Sequence, residues 1–326
     1  MEVLVTHHFL YTAEVVSPLE LDDHSGAALR GNFFDAVWGR FCTNKTAPTC
    51  ADCPLHTMCP VSAIVAPLRE ENERGRDIPR PYVILPPLGN ARRYEPGSKL
   101  IFGLTLFGNI VQFLPYMIMA THVLEEKGLG RKLAENRGQR GRFKIRQIES
   151  YNPMSGERQV IYESGKPLVG VPTFSVTAKD VSVRAVTLPA ERITLDFLTP
   201  TRITCLEKLV HHAAFYPFIQ RLVERLTALE KAYGAEESQS STDCRQELIE
   251  LAQNIECLDD STHWEDVHSY SHRSHHLTPI GGIKGKATFA GDLTPFRELL
   301  VWGELIHVGK NTVKGNGWYK VEDREH

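Results

Sequence analysis

Apolar and polar positions in the first half of the chain follow two periods, which predict strands alternating with helices. Alternating β-forming residues predict strands over 3–15, 82–88, 99–107 and 143–148. Apolar residues near helical spacing predict helices over 25–41 and 109–126. Ser25 is suited to cap the first helix, and Gly128 to end the second. The resulting order, β-α-β-β-α-β, is that of a ferredoxin-like unit.

The second half repeats this order with longer connections. Strands are predicted over 192–198, 266–276, 284–290 and 318–321. Helices are predicted over 246–255, over 294–301, and from the residues after Thr204 to near Tyr233, with a dent at Pro217. The polar stretch 234–243 is predicted to be a flexible loop, and 149–189 a hairpin around 153–156 followed by a connector.

Both halves place a loop of glycines and basic residues between their second helix and their last strand. Gly128-Leu129-Gly130-Arg131-Lys132 opens the first loop, and Gly309-Lys310 opens the second. This matching order indicates an internal duplication. The predicted fold class is therefore α+β, with two tandem ferredoxin-like domains. The predicted boundaries are 1–150 for the N-terminal domain, 151–190 for the connector and 191–326 for the C-terminal domain.

The charge of the chain is segregated, so its net value of −3 over 326 residues says little about its ligands. The run 127–146 holds eight Lys or Arg residues and one acid, whereas 236–266 holds ten acids and one Arg. The acidic run is interpreted as a solvated face. Glycines interrupt the basic run, which makes it the candidate for binding an RNA backbone. Its candidate contacts are Arg131, Lys132, Arg137, Arg140 and Arg142.

Neither a membrane span nor a signal peptide is predicted. The longest apolar run, 101–123, is broken by Gly103, Gly108, Gln112 and Pro115. The first residues lack the basic region and cleavage site of a signal peptide. A cytoplasmic location is therefore expected.

Four of the seven cysteines fall within 18 residues of a turn-rich segment. They are Cys42, Cys50, Cys53 and Cys59. In a reducing compartment, this density is more typical of metal ligands than of buried apolar filler. A structural tetrathiolate zinc site is the default prediction, because it would stabilise a loop that lacks a hydrophobic core of its own. An iron–sulfur cluster is the alternative, since a Cys-x2-Cys pair and a Cys-Pro ending occur in such sites.

The loop His307-Val308-Gly309-Lys310-Asn311-Thr312-Val313-Lys314-Gly315-Asn316-Gly317 is the most specific motif. Glycines at 309, 315 and 317 would let backbone N–H groups approach a phosphate chain, and Lys310 and Lys314 would add charge. A plain glycine-rich turn is the alternative. The alternation of His268, Tyr270 and His272 predicts one shared strand face, with Arg273 on the other. That strand is either part of an RNA surface or simply solvated.

The segment around this loop resembles the C-terminal domain of CRISPR repeat-processing endoribonucleases of the RAMP superfamily. The resemblance is carried by Gly281-Gly282-Ile283-Lys284-Gly285, by Phe289-Ala290-Gly291-Asp292-Leu293, and by the loop itself. Weaker matches lie at Leu198-Thr199-Pro200-Thr201-Arg202 and on the first helix. The family pairs two ferredoxin-like folds, as the pattern here also predicts.

The resemblance implies cleavage of precursor CRISPR RNA within its repeats without a catalytic metal. The expected products are a 2′,3′-cyclic phosphate and a 5′-hydroxyl. A histidine would act as acid or base, and a lysine would stabilise the phosphorane. The candidates are His307, at the mouth of the loop, and His24, where many relatives place their catalytic histidine, with Lys310 for the phosphate. His7 and His8 come next.

Two other functions stay open at this point. A non-catalytic RAMP subunit would bind CRISPR RNA inside an effector complex and share the glycine loop. An unrelated zinc or iron–sulfur protein would lack the duplicated ferredoxin architecture. The expected partners are CRISPR repeat RNA and other CRISPR effector subunits.

Overall fold

The computed structural model describes residues 4–22, 24–67, 78–89, 92–235, 242–271 and 276–322. The chain divides into two compact units. The N-terminal unit is Val5–Ser175, and the C-terminal unit is Val176–His326 together with Met1–Leu4. The division falls within the predicted connector.

The N-terminal unit contains nine strands and three α-helices among its described residues. The strands are β1 Thr6–Val15, β2 Leu19–Glu20, β3 Tyr82–Leu85, β4 Arg93–Tyr94, β5 Lys99–Phe107, β6 Leu129–Leu133, β7 Gln139–Gly141, β8 Phe143–Tyr151 and β9 Arg158–Glu163. The helices are α1 Ser25–Phe41, α2 Pro60–Val65 and α3 Leu114–Lys127. Short 3-10 turns cover Gly108–Phe113 and Ala134–Asn136.

The main sheet of this unit has the order β3-β5-β1-β8-β9, with every neighbour antiparallel. Its first four strands give the ferredoxin-like arrangement that the sequence predicts, and β9 extends one edge. Alternate residues of β1 are buried, so one face of the sheet packs a core. Within that core, Tyr11 stacks on Phe102 with ring centroids 5.0 Å apart.

The C-terminal unit contains eight further strands and four α-helices among its described residues. The strands are β10 Arg192–Thr201, β11 Ile203–Cys205, β12 Lys208–Val210, β13 Glu256–Glu265, β14 His268–Ser271, β15 His276–Pro279, β16 Gly282–Ala290 and β17 Tyr319–Val321. The helices are α4 Ala178–Thr187, α5 Phe215–Tyr233, α6 Thr242–Leu251 and α7 Arg297–Ile306. The 3-10 turns cover Ala252–Asn254, Thr294–Phe296 and Thr312–Lys314.

The sheet of this unit has the order β13-β16-β10-β17 and is also antiparallel. Phe218 of α5 meets Phe197 and Tyr319 of the sheet edge-on, with centroids 5.8 and 5.1 Å away. Such edge-to-face aromatic packing adds about 1 kcal/mol to the burial of each ring. Two tandem ferredoxin-like units, the predicted fold class, are confirmed.

Two predicted elements of the C-terminal half are wrong. The edge strand of the sheet is β13, which ends at Glu265, before the predicted strand 266–276 begins. Within 266–276, the described residues form β14 and the first residue of its partner β15, and residues 272–275 lie outside the described residues. The residues after Thr204 form the β11–β12 hairpin, and the helix begins only at Phe215. Pro217 causes no dent, because it is the third residue of α5, where a missing N–H has no helical acceptor.

Among the described residues, none of the helices is long and apolar enough to cross a membrane.

Candidate functional site

The glycine loop follows α7 and is folded tightly on itself. Gly309, Gly315 and Gly317 all have positive φ angles. A Cβ on Gly317 would lie 1.8 Å from the carbonyl oxygen of Val308, so only glycine fits there. The backbone N–H groups of Lys310 and Gly317 donate to the carbonyls of Arg202 and Pro200, at 2.9 and 3.1 Å. The glycines thus serve close backbone packing, and these two amides are already used within the chain.

His307 lies at the start of this loop and is fully buried, with 0% of its surface exposed. Its Nδ1–H donates to the carbonyl oxygen of Asn316 at 3.2 Å, since a carbonyl can only accept. Its ring stacks on Trp318, with centroids 5.8 Å apart and planes 5° from parallel. Asn316 in turn donates to the carbonyls of Pro200 and Ile280. In this arrangement the ring holds the loop together and offers no surface to a substrate.

The two lysines of the loop lie nearer the solvent. The side chain of Lys310 is exposed, and that of Lys314 is half-buried. Lys310 can therefore meet a phosphate without any rearrangement of the loop.

His24 occupies the N-cap position of α1 in the N-terminal unit and is 8% exposed. The first turn of the helix carries no acidic residue. That turn consists of Ser25 and Gly26, which are buried, and Ala27 and Ala28, which are half-buried. Such a helix end attracts anionic groups.

The two histidines on β1 have different surroundings. His8 is buried, and its two ring nitrogens lie 2.8 and 3.0 Å from the hydroxyls of Thr6 and Thr105. Burial lowers the pKa of His7, a trend that a backbone hydrogen bond at Phe174 partly opposes. The His8 ring therefore belongs to the interior of the N-terminal unit, whereas His7 is half-buried.

The basic loop of the N-terminal unit is the β6–β7 hairpin, and its charges are not equivalent. Arg131 pairs with Glu20 at 3.2 Å and with Asp22 at 2.6 Å, so two carboxylates neutralise it. The guanidinium of Arg140 donates to Asn32 of α1 at 3.1 Å. The exposed side chains that remain for an RNA backbone are Lys132, Arg137 and Arg142. Arg273 lies outside the described residues.

The four clustered cysteines lie between α1 and α2 and are half-buried. Their segment is built of turns, and Cys53 Sγ accepts a hydrogen bond from Asn44 Nδ2 at 3.6 Å. Thiolates are suitable donors for zinc or iron. However, across the described residues, which include all four cysteines, no three Cys, His, Asp or Glu side chains gather closely enough to hold a metal.

The sequence patterns missed a cluster around Trp264 in the C-terminal unit. The guanidinium of Arg202 lies 5.6 Å from the Trp264 ring centroid, and the ring of His211 lies 4.4 Å from it. Trp264 lies far along the chain from Arg202 and His211, so no local spacing could reveal the cluster. The one signal was the short match Thr201-Arg202 within the family resemblance.

Comparison with known proteins yields matches for both units. Residues 4–173 match the family model of the AF_1859 N-terminal domain, and residues 195–319 match that of the CRISPR-associated endoribonuclease Cas6. An uncharacterized protein of Archaeoglobus fulgidus is 26% identical over 306 residues, 91% of either chain.

Solved structures share the fold of the whole chain. A product complex of a Thermus thermophilus Cas6 is 13% identical, covers 98% of this chain and 99% of its own, and has a TM-score of 0.56. A partial Cas6-RT-Cas1–Cas2 complex is also 13% identical over 98% of this chain, with a TM-score of 0.60. This chain spans 46% of that one. At this level of identity the likeness establishes the shared fold.

Proposed function

Because the chain belongs to the CRISPR-associated Cas6 type of repeat-processing protein, with an N-terminal domain of the AF_1859 family, we propose that it cuts precursor CRISPR RNA within its repeats by attack of a ribose 2′-hydroxyl. The observation that carries this proposal is the match of residues 195–319 to an endoribonuclease family, over a sheet with the expected topology.

The proposed reaction needs a base, an acid and a cation, and no catalytic metal. The base removes the 2′-OH proton, and the 2′-oxygen bonds to the adjacent phosphorus. The bond from phosphorus to the 5′-oxygen breaks, and the acid protonates that oxygen. The products are a 2′,3′-cyclic phosphate and a 5′-hydroxyl. The ammonium group of Lys310, which is exposed, is suited to bind a phosphate of the RNA.

We assign the acid or base role to His24 in preference to His307. His24 retains some exposure beside a helix end that attracts phosphate. His307 has none, and its ring is held by Asn316 and Trp318. An imidazole is the side chain that most often acts as general acid or base, the role that the reaction requires.

The proposed ligand is CRISPR repeat RNA, and the proposed protein partners are other CRISPR components. The Thermus thermophilus structure is a product complex, and the other matched structure is a complex of Cas6, RT, Cas1 and Cas2. These assemblies belong to the matched proteins, and they support the same two classes of partner here.

The test is cleavage of the cognate repeat RNA by purified protein, with the variants His24→Ala and His307→Ala. We expect His24→Ala to lower the cleavage rate by about 10³-fold or more while RNA binding is retained. His122→Ala is the matched control, because His122 is an exposed histidine of the same unit, and it should leave the rate unchanged. Full activity of His24→Ala would reject this assignment.

The alternative is a non-catalytic RAMP subunit that binds CRISPR RNA in an effector complex. The burial of His307 within the glycine loop favours this alternative, because a fully buried ring cannot reach the RNA. Tight binding of the repeat by every variant, with no cleavage by the wild type, would establish this alternative.

We also propose that the segment of Cys42, Cys50, Cys53 and Cys59 binds a structural metal, with zinc as the default and an iron–sulfur cluster as the rival. The donor chemistry and the absence of a core within this turn-rich segment support the proposal. In the present arrangement the thiols are not gathered, so no step of the reaction depends on the metal.

A further inference from the structure

The base of the β11–β12 hairpin joins a guanidinium, an imidazole and an indole. Arg202 precedes β11 and His211 follows β12, and the pairing of Ile203 with Val210 makes them neighbours across the hairpin. Trp264, near the end of β13, lies against both side chains, at 5.6 Å from Arg202 Cζ and 4.4 Å from the His211 ring. Two separate stretches of chain, the β11–β12 hairpin and the end of β13, therefore meet at one aromatic ring.

Arg202 is also fixed by the main chain on both sides. Its Nη1 donates to the carbonyl oxygen of Gly281 at 3.1 Å. Its own carbonyl accepts the N–H of Lys310 at 2.9 Å, and a Cβ on Gly309 would lie 2.5 Å from that oxygen. The glycine loop thus packs directly on Arg202. A guanidinium held in this way loses little conformational entropy when it binds a ligand.

The charges around Arg202 favour an anion. The side chains of Lys208, His211, His212 and Lys310 are exposed. Of the nearby carboxylates, Glu265 pairs with Lys284 at 3.3 Å, whereas Asp266 accepts from the neutral indole of Trp264 at 2.8 Å and keeps its charge. The turn of the β11–β12 hairpin also carries one acidic residue, Glu207.

The geometry points to Arg202 as a phosphate-binding residue of the proposed RNA site. We propose that its guanidinium binds a phosphodiester of the repeat RNA, held in place by Trp264 and Gly281, next to the glycine loop. A guanidinium has five N–H donors in a planar fork that matches a phosphate, and the contact to Gly281 uses one of them. The inference rests on the proposed function, because the anion it names is the repeat RNA.

The test compares Arg202→Met with Arg192→Met in the wild-type background. Arg192 is an exposed arginine at the other end of the same strand, roughly 30 Å away. The probe is repeat RNA with a single 2′-deoxy nucleotide at the cut, so that binding is measured without cleavage. Fluorescence anisotropy over a series of salt concentrations gives both the Kd and its salt dependence.

We expect Arg202→Met to weaken binding roughly tenfold, and Arg192→Met to leave it unchanged. The slope of log K against log salt should fall by about 0.7 to 0.9, the value of one phosphate contact. Arg202→Lys should keep the slope and recover part of the affinity, because it keeps the charge but not the fork. The loss should be equal for repeat and scrambled RNA, since a phosphate carries no sequence.

Two results would overturn this inference alone. Weaker binding with an unchanged salt slope would mean that Arg202 only holds the loop. A loss confined to the repeat sequence would mean that Arg202 reads a base. If the wild type binds and cuts the repeat while Arg202→Met behaves like Arg192→Met, the inference fails and the proposed function stands. If the wild type neither binds nor cuts the repeat, the proposed function fails, and the inference fails with it.

Discussion

At the scale of single residues, the two candidate histidines differ in burial: His307 is fully enclosed, and His24 is 8% exposed. The sequence made His307 and His24 equal candidates for the acid or base, because each lies beside a motif. Spacing carries no information on whether a ring faces solvent or an interior carbonyl. The structure gives His307 a structural role in its loop, while the part of each histidine in catalysis stays a prediction.

Glu304 of α7 is a second buried polar residue, and it makes stability depend on pH. It is 5% exposed, and its Oε1 accepts the N–H of Val321 at 2.9 Å. Burial raises the pKa of its carboxyl above the usual value of 4.5, against the opposing charge of Lys320. Because the folded state holds this proton more tightly, its stabilisation is full below pH 4.5 and falls as pH rises through the folded-state pKa.

We predict that Glu304→Gln removes this loss of stability at higher pH, because glutamine accepts the same hydrogen bond without a charge. The variant should match the wild type in acid and have a higher Tm at neutral pH, as measured by calorimetry across the pH range. Glu247→Gln, at an exposed position of α6 in the same unit, is the control and should leave the Tm unchanged. A lower Tm for Glu304→Gln at neutral pH would show that the ion pair with Lys320 outweighs the burial.

At the scale of elements, the sequence predicted most of the fold because its core strands and helices have a clear period. Strand β1 alternates buried and half-buried residues along its length, and such a pattern can be read directly. Strand β13 was missed because it is an edge strand whose residues are mostly exposed, with four acids among its ten residues. Its place is fixed by backbone pairing with β16, which leaves no hydrophobic pattern in the sequence.

The glycine loop is an element whose glycines have measurable and unequal roles. We predict that Gly317→Ala destabilises the C-terminal unit by about 2–4 kcal/mol, since its Cβ would lie 1.8 Å from a carbonyl oxygen. Gly138→Ala is the matched control: its φ of +75° is similar, but nothing lies within 4 Å of its Cβ. It should lose only about 1 kcal/mol, the strain of the left-handed conformation. Chemical denaturation measures both losses, and equal losses would refute the close packing of the loop.

The cysteine segment gives a prediction about metal content. We predict about one equivalent of zinc per chain by elemental analysis, and less than half of that in Cys53→Ser. Cys205→Ser is the control, because Cys205 lies outside the segment, and it should retain the metal. Iron and sulfide with visible absorbance would select the cluster instead. If the purified chain contains no metal and its four thiols react freely, both forms of the proposal are contradicted.

At the scale of the whole molecule, the chain repeats one topology in two units and assigns different chemistry to each. The N-terminal unit carries the α1 histidine and the exposed Lys132, Arg137 and Arg142, while the C-terminal unit carries the glycine loop and Arg202. Sequence could predict this duplication from matching loops, because the loops follow equivalent helices. It could not predict the Trp264 cluster, which exists only once the β11–β12 hairpin has packed against the distant strand β13.

The most direct test of the proposed function is single-turnover cleavage of the repeat RNA in EDTA. It compares an all-ribose repeat with one that has a single 2′-deoxy nucleotide immediately 5′ of the cut. We predict one cut in the all-ribose RNA, with a 2′,3′-cyclic phosphate identified by mass, and none in the deoxy RNA despite equal binding. Cleavage of the deoxy RNA, or cleavage only with added divalent metal to give a 5′-phosphate, would contradict attack by the 2′-hydroxyl.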